Sequence, residues 1–205
     1  MKKIKSALIS VADKSNLKPL LKILKKNKIN LISSGGTFKI IKKLKFKCTE
    51  VSDYTGFKEI LGGRVKTLHP KIHAGILGKR NNKSHLKELK KNNFENIDLI
   101  VVNFYPFEKT IKMTKDKNKI IENIDIGGPA MVRAAAKNYN DVTVITSTSQ
   151  YSQLMNQLEI NNGSTSLEFR EEMSKVAFAE TAYYDSVISN YLNSKSNNHF
   201  SEKKT

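Results

Sequence analysis

A run of glycines and cations, Gly62–Pro70, is the first part of the sequence that could do chemistry. Two glycines are followed by Arg64 and Lys66, which alternate along the backbone. In an extended chain, residues two apart face the same way, so both cations would point at one anionic or carbonyl-rich ligand. His69 and His73 also lie here, but no cysteine or acidic cluster accompanies them as a metal site would need. The segment therefore predicts a ligand-binding loop without a metal.

Ile124–Asn138 combines a glycine-led turn with a helix that has charged residues at both ends. A glycine pair precedes Pro129, a residue suited to the first turn of a helix, and Asp125 stands beside that start. Lys137 closes the same helix. Such an acid and base could move protons on a substrate if mutual contact and burial shift their pKa values. The alternative is that Lys137 only favours the negative end of the helix dipole.

Ser33–Thr37 lies where a predicted strand meets a predicted helix. Its small residues allow backbone N–H groups to approach an anion, and a helix N-terminus adds positive potential. The hydroxyls of Ser34 and Thr37 could donate as well, and Lys14 follows the first predicted strand at the same edge of the sheet. Because the spacing matches neither a Walker A loop nor a dinucleotide fingerprint, the alternatives are a phosphate site and an ordinary tight turn.

Asn103–Phe107 ends the most hydrophobic predicted strand. Asn103 offers an amide and Tyr105 a hydroxyl at the carboxyl end of that strand, where open α/β folds bind ligands. Simple packing accounts for Phe104 and Phe107. The polar pair is therefore the part of this segment that could contact a ligand.

The elements that must position these segments alternate between strand and helix. Short apolar runs predict strands at Ile4–Val11, Ile29–Ser33, Cys48–Val51, Ile97–Asn103 and Val142–Thr146. Apolar residues at helical spacing predict helices at Leu17–Lys26, Phe38–Leu44, Ser84–Asn92, Gln150–Leu158 and Leu167–Leu192. The pattern predicts an α/β fold, a three-layer parallel sheet with helices on both faces, and a functional irregular stretch over 52–80.

Composition narrows the classes of partner. The chain has 205 residues and a formal net charge of +17, which favours anionic partners. Its lysines are spread out with few aromatics beside them, so a nucleic-acid-binding module is the rival class rather than the expected one. No apolar run reaches the roughly 20 residues of a spanning helix, and no secretory signal is recognisable. We expect a cytoplasmic protein without membrane contact, in which the lone Cys48 is structural.

Taken together, these segments resemble the IMP cyclohydrolase domain of the bifunctional AICAR transformylase/IMP cyclohydrolase family of purine biosynthesis. The resemblance extends from Ala7 to about Leu192, and several long motifs in one order make it specific. The motifs are Ser10–Lys14, Ser34–Thr37, Glu50–Phe57, Gly63–Pro70, Asn103–Phe107, Ile124–Asn138 and Ala177–Tyr184. The resemblance implies a methylglyoxal synthase-like fold over residues 1–193 and a polar tail or linker over 194–205.

The resemblance also implies an activity: a homodimeric hydrolase, run in the ring-closing direction, converts formyl-AICAR (FAICAR) to IMP without a metal or organic cofactor. The implied catalytic group is Lys66, Tyr105, Asp125 and Lys137. The implied substrate-binding residues are Ala12, Asp13, Lys14, Ser34, Gly35, Gly36, Thr37, Arg64, Val65, Lys66, Thr67, Val102, Asn103, Asp125 and Ile126. Within that set, Lys14 and Ser34–Thr37 would hold the 5′-phosphate.

The chemistry of ring closure asks for such residues. The carboxamide nitrogen must attack the formyl carbon of the same molecule, so holding the two groups in contact supplies much of the rate. The formyl oxygen gains negative charge, and Lys66, Tyr105 or the Asn103 amide could donate to it. An Asp125–Lys137 pair could then carry the proton that leaves nitrogen.

The chain departs from the family pattern in two ways. Ala12 stands where the family commonly has serine, which removes one hydroxyl near the phosphate loop. The Arg-Tyr-Gly-Glu-Asn-Pro-His motif of the transformylase half is not found, so formyl transfer is expected to be missing, whether the chain is a fragment or a stand-alone domain. The nearest rivals, methylglyoxal synthase and regulatory nucleotide-binding domains, share the Ser-Gly-Gly-Thr loop. They do not account for Gly63–Pro70 together with Ile124–Asn138.

Overall fold

A computed structural model describes residues 1–194, and its centre is a parallel sheet of five strands. Residues 1–194 contain seven strands in all: β1 (Lys2–Lys3), β2 (Ser6–Val11), β3 (Asn30–Ser33), β4 (Thr49–Glu50), β5 (Leu99–Asn103), β6 (Thr143–Ile145) and β7 (Ser164–Thr165). The sheet order is β4-β3-β2-β5-β6, and β1 pairs with β7 in a separate antiparallel ribbon. β2 and β5 are buried almost throughout, as central parallel strands are.

Ten α-helices surround the sheet within residues 1–194. They are α1 (Leu17–Lys26), α2 (Gly35–Lys43), α3 (Val51–Thr55), α4 (Pro70–Leu77), α5 (Lys83–Lys91), α6 (Phe107–Met113), α7 (Lys117–Glu122), α8 (Gly127–Lys137), α9 (Tyr151–Ile160) and α10 (Leu167–Asn193). α1 shows why they form: Leu17, Leu20, Leu21 and Leu24 recur at helical spacing and are buried. Two short 3₁₀ turns, Leu61–Gly63 and Thr148–Gln150, join other elements.

The strand order reverses between β2 and β5. From β2 the chain proceeds through β3 to β4 at one edge, and from β5 it proceeds to β6 at the other. Because parallel crossovers are right-handed, the helices of the two halves cover opposite faces. α8 packs on β5 and β6 and contacts α4 and α10, whereas α1 contacts α9. Ligands of open α/β sheets bind at the carboxyl ends of strands beside such a reversal, here the ends of β2 and β5.

A second hydrophobic cluster lies outside the main core. Phe107, Ile120 and Tyr184 are buried there, and partly buried side chains of α6 and α10 pack around them. The cluster packs α6 and α7 against the long α10. It therefore fixes the position of the segment that connects β5 to α8.

The predicted three-layer α/β fold is confirmed, but several boundaries were wrong. Helix α2 begins at Gly35, within the predicted turn, rather than at Phe38. The stretch 52–80 contains most of α3, which already begins at Val51, and all of α4, and the sequence pattern did not reveal α6, α7 or the β1–β7 ribbon. In the part of the chain that the structure describes, no helix is long and apolar enough to cross a membrane. Beyond Ser194, the predicted polar tail lies outside the described residues.

Candidate active site

A cavity of about 510 Å³ opens at the carboxyl ends of β2, β3 and β5. The N-termini of α2 and α8 and the loop after the Leu61–Gly63 turn complete its wall, so the four predicted segments meet around one space. Predicted site residues that line it are Ala12, Lys14, Ser34, Gly35, Gly36, Thr37, Arg64, Lys66, Thr67, Asn103, Tyr105, Asp125 and Ile126. Asp13, Val65, Val102 and Lys137 do not line this cavity.

The N-terminus of α2 forms the part of the cavity best suited to an anion. Ser34 is its N-cap residue in extended conformation, and Gly35 follows with a φ of 54° that favours glycine. The Nζ of Lys66 lies 3.5 Å from the place where a Cβ on Gly35 would stand, and the Cε of Lys14 lies 4.0 Å from that of Gly36. Two lysines therefore flank a helix start whose own dipole already favours negative charge.

Thr37 has a different role from the one predicted. Its side chain is buried, and its hydroxyl both accepts a hydrogen bond from the Val11 N–H and donates to the Val11 carbonyl, each at 3.0 Å. The hydroxyl therefore ties α2 to the end of β2 and is not free for a phosphate. The predicted donation by the Thr37 hydroxyl is wrong, although its position beside the cavity is correct.

Asn103 is likewise engaged by the backbone. Its Oδ1 accepts hydrogen bonds from the N–H groups of Ala12 (2.6 Å) and Asp13 (2.9 Å), and its Nδ2 donates to the Asp13 carbonyl at 3.1 Å. The amide thus fixes the loop between β2 and α1 across the switch point. The Nδ2 group has two N–H donors and the bond to Asp13 uses one of them, so the predicted donation to the formyl oxygen stays a prediction. The Lys14 Nζ donates to the Val11 and Ala12 carbonyls of the same loop.

Arg64 and Lys66 reach the same cavity, but not by the predicted geometry. Arg64 has helical dihedral angles, so the chain is not extended there, and Val65 instead pairs with Ile60 in an antiparallel bridge. Each cation has an acidic partner that the sequence did not reveal. The Nε of Arg64 lies 3.4 Å from the Oε1 of Glu122, and Lys66 forms an ion pair with Glu59. The hydrogen bond and charge of Lys66 lower the pKa of Glu59 below its ordinary value.

The loop and the start of α8 pack so closely that a side chain on either of two glycines would displace a neighbouring group. A Cβ on Gly127 would collide with the Oγ1 of Thr67, and a Cβ on Gly128 would collide with the carboxylate of Asp125. The Gly128 N–H donates to the Oδ1 of Asp125 at 2.8 Å. Burial raises the pKa of Asp125, and the Gly128 hydrogen bond opposes that rise. A carboxylate with a raised pKa at a cavity wall is suited to accept and return a proton.

Lys137 stands at the other end of the helix from Asp125. The eleven residues of α8 rise about 15 Å from Gly127 to Lys137, and the lysine side chain is exposed. The predicted contact between Asp125 and Lys137 is therefore wrong, because α8 itself separates them. Val102 is buried inside β5, one residue before the cavity begins.

Tyr105 lies on the boundary between two cavities. It is 57% exposed and lines both the site cavity and a neighbouring one of about 650 Å³. Asp13 and Tyr184 line the neighbouring cavity, which also extends toward α10. Among residues 1–194, no group of three or more histidine, cysteine, aspartate or glutamate side chains could hold a metal ion.

Comparisons with known proteins match two family models to successive parts of the chain. A model described as the MGS-like domain matches residues 16–130, and one described as the AICARFT/IMPCHase bienzyme matches residues 135–205. The bifunctional purine biosynthesis protein PurH of Persephonella marina is 50% identical over 191 residues, and that of Prochlorococcus marinus strain NATL2A is 53% identical over 192.

This chain matches only part of the PurH proteins but nearly the whole of one solved structure. The chain is covered to 93% in both pairs, but it spans only 37% of the length of either PurH protein. The crystal structure of ForH matches with a TM-score of 0.82 and 29% identity, covering 92% of this chain and 99% of that one.

Proposed function

The chain belongs to the MGS-like domain family, and from that premise we propose that it is an IMP cyclohydrolase that closes FAICAR to IMP with loss of water. The observation that carries this proposal is the single cavity that brings Lys66 and Asp125 next to the lysine-flanked start of α2. The bifunctional relatives named above share about half of its residues over 93% of its length. We further propose that residues 1–193 form the ring-closing domain, which acts in the cytoplasm as a homodimer.

Substrate binding begins at the start of α2. The 5′-phosphate of FAICAR sits against the backbone N–H groups of Gly35 and Gly36, and Lys14 and the Ser34 hydroxyl add donors. Arg64, Lys66 and Thr67 then face the ribose and base from the loop, with Ile126 on the opposite wall. Anchoring both ends of the substrate keeps its carboxamide nitrogen against its formyl carbon. Since the reaction is intramolecular, this positioning supplies a large part of the rate.

Ring closure then needs one base and one oxyanion donor. As the carboxamide nitrogen bonds to the formyl carbon, Asp125 accepts a proton from that nitrogen, and Lys66 with Tyr105 stabilises the negative oxygen. The negative oxygen must take up two protons to leave as water: one is the proton that Asp125 returns, and the other comes from the formamido nitrogen, which forms the new C=N bond as it loses that proton. Asp125 can both accept and return a proton because burial raises its pKa.

The test is direct conversion of FAICAR by the purified protein, with IMP formation followed by absorbance and chromatography. We expect turnover by the wild-type protein and a loss of at least 100-fold in Lys66→Ala and Asp125→Asn, the size expected for removing an oxyanion donor or an essential base. Lys22→Ala is the matched control, since it removes the same side chain at an exposed position of α1 outside the cavity and should stay within about twofold of wild type. No IMP at high protein concentration would overturn the proposed function.

A further inference from the structure

The backbone of Asp125 is held by a residue of α10 that is far from it in sequence. The Asp125 N–H donates to the hydroxyl oxygen of Tyr184 at 2.8 Å. We propose that Tyr184 is a positioning residue for ring closure, which fixes Asp125 through this bond and sets its distance from the loop that carries Tyr105. The proposal rests on the proposed function, because it assigns Tyr184 to the same site.

Tyr184 is itself rigidly placed. Its side chain is only 7% exposed, and its ring lies 5.0 Å from that of Phe104 and 6.5 Å, edge on, from that of Phe107. Phe104 directly precedes Tyr105 in the chain. One side chain therefore contacts both segments that carry candidate catalytic groups: the ring packs against one, and the hydroxyl binds the other.

The bond to Tyr184 completes a two-point hold on Asp125. The carboxylate accepts from the Gly128 N–H, and the backbone N–H is occupied by Tyr184, so neither end of the residue moves independently. Asp125 precedes α8 and lies outside any helix or strand, so no regular ladder replaces a lost bond. Without the hydroxyl, the Asp125 N–H would lose its partner in a partly buried position, and the short segment before α8 would loosen.

Burial of Tyr184 also suits a hydrogen-bonding rather than an ionising role. Desolvation raises the pKa of Tyr184, so its hydroxyl stays protonated and neutral. The oxygen can therefore accept from the Asp125 N–H without adding a charge beside the carboxylate.

Tyr184→Phe tests the proposal, because it retains the ring and its packing and removes only the hydroxyl. We expect kcat for ring closure to fall about tenfold, while KM changes less than about twofold, since Tyr184 does not contact the substrate. Hydrogen exchange measured by mass spectrometry should become about tenfold faster in a peptide spanning residues 123–128, whereas peptides from α10 should be unchanged. The exchange experiment needs no substrate, so it measures directly how firmly Tyr184 fixes the backbone at Asp125.

Tyr191→Phe is the matched control. Tyr191 lies on the same helix and its ring packs against Phe107 at 5.7 Å, but its hydroxyl has no hydrogen-bond partner in the described part of the chain. This variant should keep normal kcat and normal exchange at residues 123–128.

If the wild-type protein is active, normal kcat and normal exchange in Tyr184→Phe would overturn the positioning role. A fall in kcat matched by an equal loss of folded protein in thermal melts would overturn it as well. Absence of turnover in the wild-type protein would instead overturn the proposed function and, with it, this role.

Discussion

An alanine at position 128 would place a methyl group against the carboxylate of Asp125. A Cβ on Gly128 would lie 3.0 Å from the Cγ and 3.1 Å from the Oδ1 of Asp125, and closer still to the Oδ2. Favourable carbon contacts begin near about 3.5 Å, so the carboxylate must retreat by roughly 0.5 to 1 Å. Gly128 is not among the glycines with positive φ, so the backbone itself accepts alanine. The substitution therefore moves the proposed base without unfolding its helix.

We expect Gly128→Ala to lower the rate of ring closure strongly while changing the stability of the fold little. A displacement of about 1 Å in a catalytic group can reduce rate about 100-fold, which corresponds to about 2.7 kcal/mol of transition-state stabilisation. Alanine favours a helix over glycine by about 1 kcal/mol. Weakening of the Asp125 bond to the start of α8 would cost about 1 kcal/mol, as loss of an N-terminal cap does. The two nearly cancel, so the melting temperature of Gly128→Ala should change little.

The assay compares initial rates of IMP formation from FAICAR with thermal unfolding of the same samples. If Gly128→Ala acts through Asp125, its effect must vanish once Asp125 is replaced. The double variant with Asp125→Asn should then be no more than about threefold slower than Asp125→Asn alone. A normal kcat in Gly128→Ala, or a double variant whose loss equals the product of the two single losses, would refute the assignment of Asp125 as the base.

Three further substitutions test other parts of the site. Asn103→Ala removes three hydrogen bonds to the loop after β2, so KM for FAICAR should rise about tenfold and stability should fall by about 1–3 kcal/mol, measured by steady-state kinetics and urea unfolding. Glu59→Gln releases Lys66 from its ion pair, so KM at neutral pH should fall about two- to threefold, and an unchanged or higher KM would contradict this. Burial raises the folded-state pKa of Asp125 above 3.8, so its charge destabilises the fold once the pH exceeds that range. Asp125→Asn should therefore melt at a higher temperature than wild type near pH 8 but not near about pH 3, and a constant difference between the two pH values would contradict the shift.

Much of the fold could be predicted because local patterns agree with the tertiary structure. Ile97–Asn103 was predicted as the most hydrophobic strand from its continuous apolar run, and β5 lies inside the sheet, flanked by β2 and β6. The start of α2 was missed because a glycine pair normally indicates a turn, whereas here Gly35 adopts a positive φ and the helix begins directly. Helix α7 has too few turns to show a periodic stripe, so packing against α6 and α10 rather than local propensity defines it.

The site was predictable as a set of segments but not as a set of contacts. The carboxyl ends of parallel strands must meet at one edge, so the convergence of β2, β3 and β5 followed from the pattern alone. The bonds of Thr37 and Asn103 did not, because their partners lie 26 and about 90 residues away in the sequence. The distance between Asp125 and Lys137 could have been calculated from the sequence, because twelve residues of mostly helical chain span roughly 18 Å.

The distribution of charge around the cavity determines what kind of anion it selects. The net charge of +17 is not concentrated there, because Lys66 is paired with Glu59 and Arg64 with Glu122. A ligand must exchange places with these carboxylates, and a weakly held monoanion would gain little from doing so. The glutamates are more than half exposed, so both pairs are strongly screened and readily exchanged. A phosphate at the start of α2 binds several N–H groups along the helix dipole as well as the lysines, which a single carboxylate cannot match. The site therefore favours a phosphorylated substrate through the geometry of α2 rather than through the overall charge of the protein.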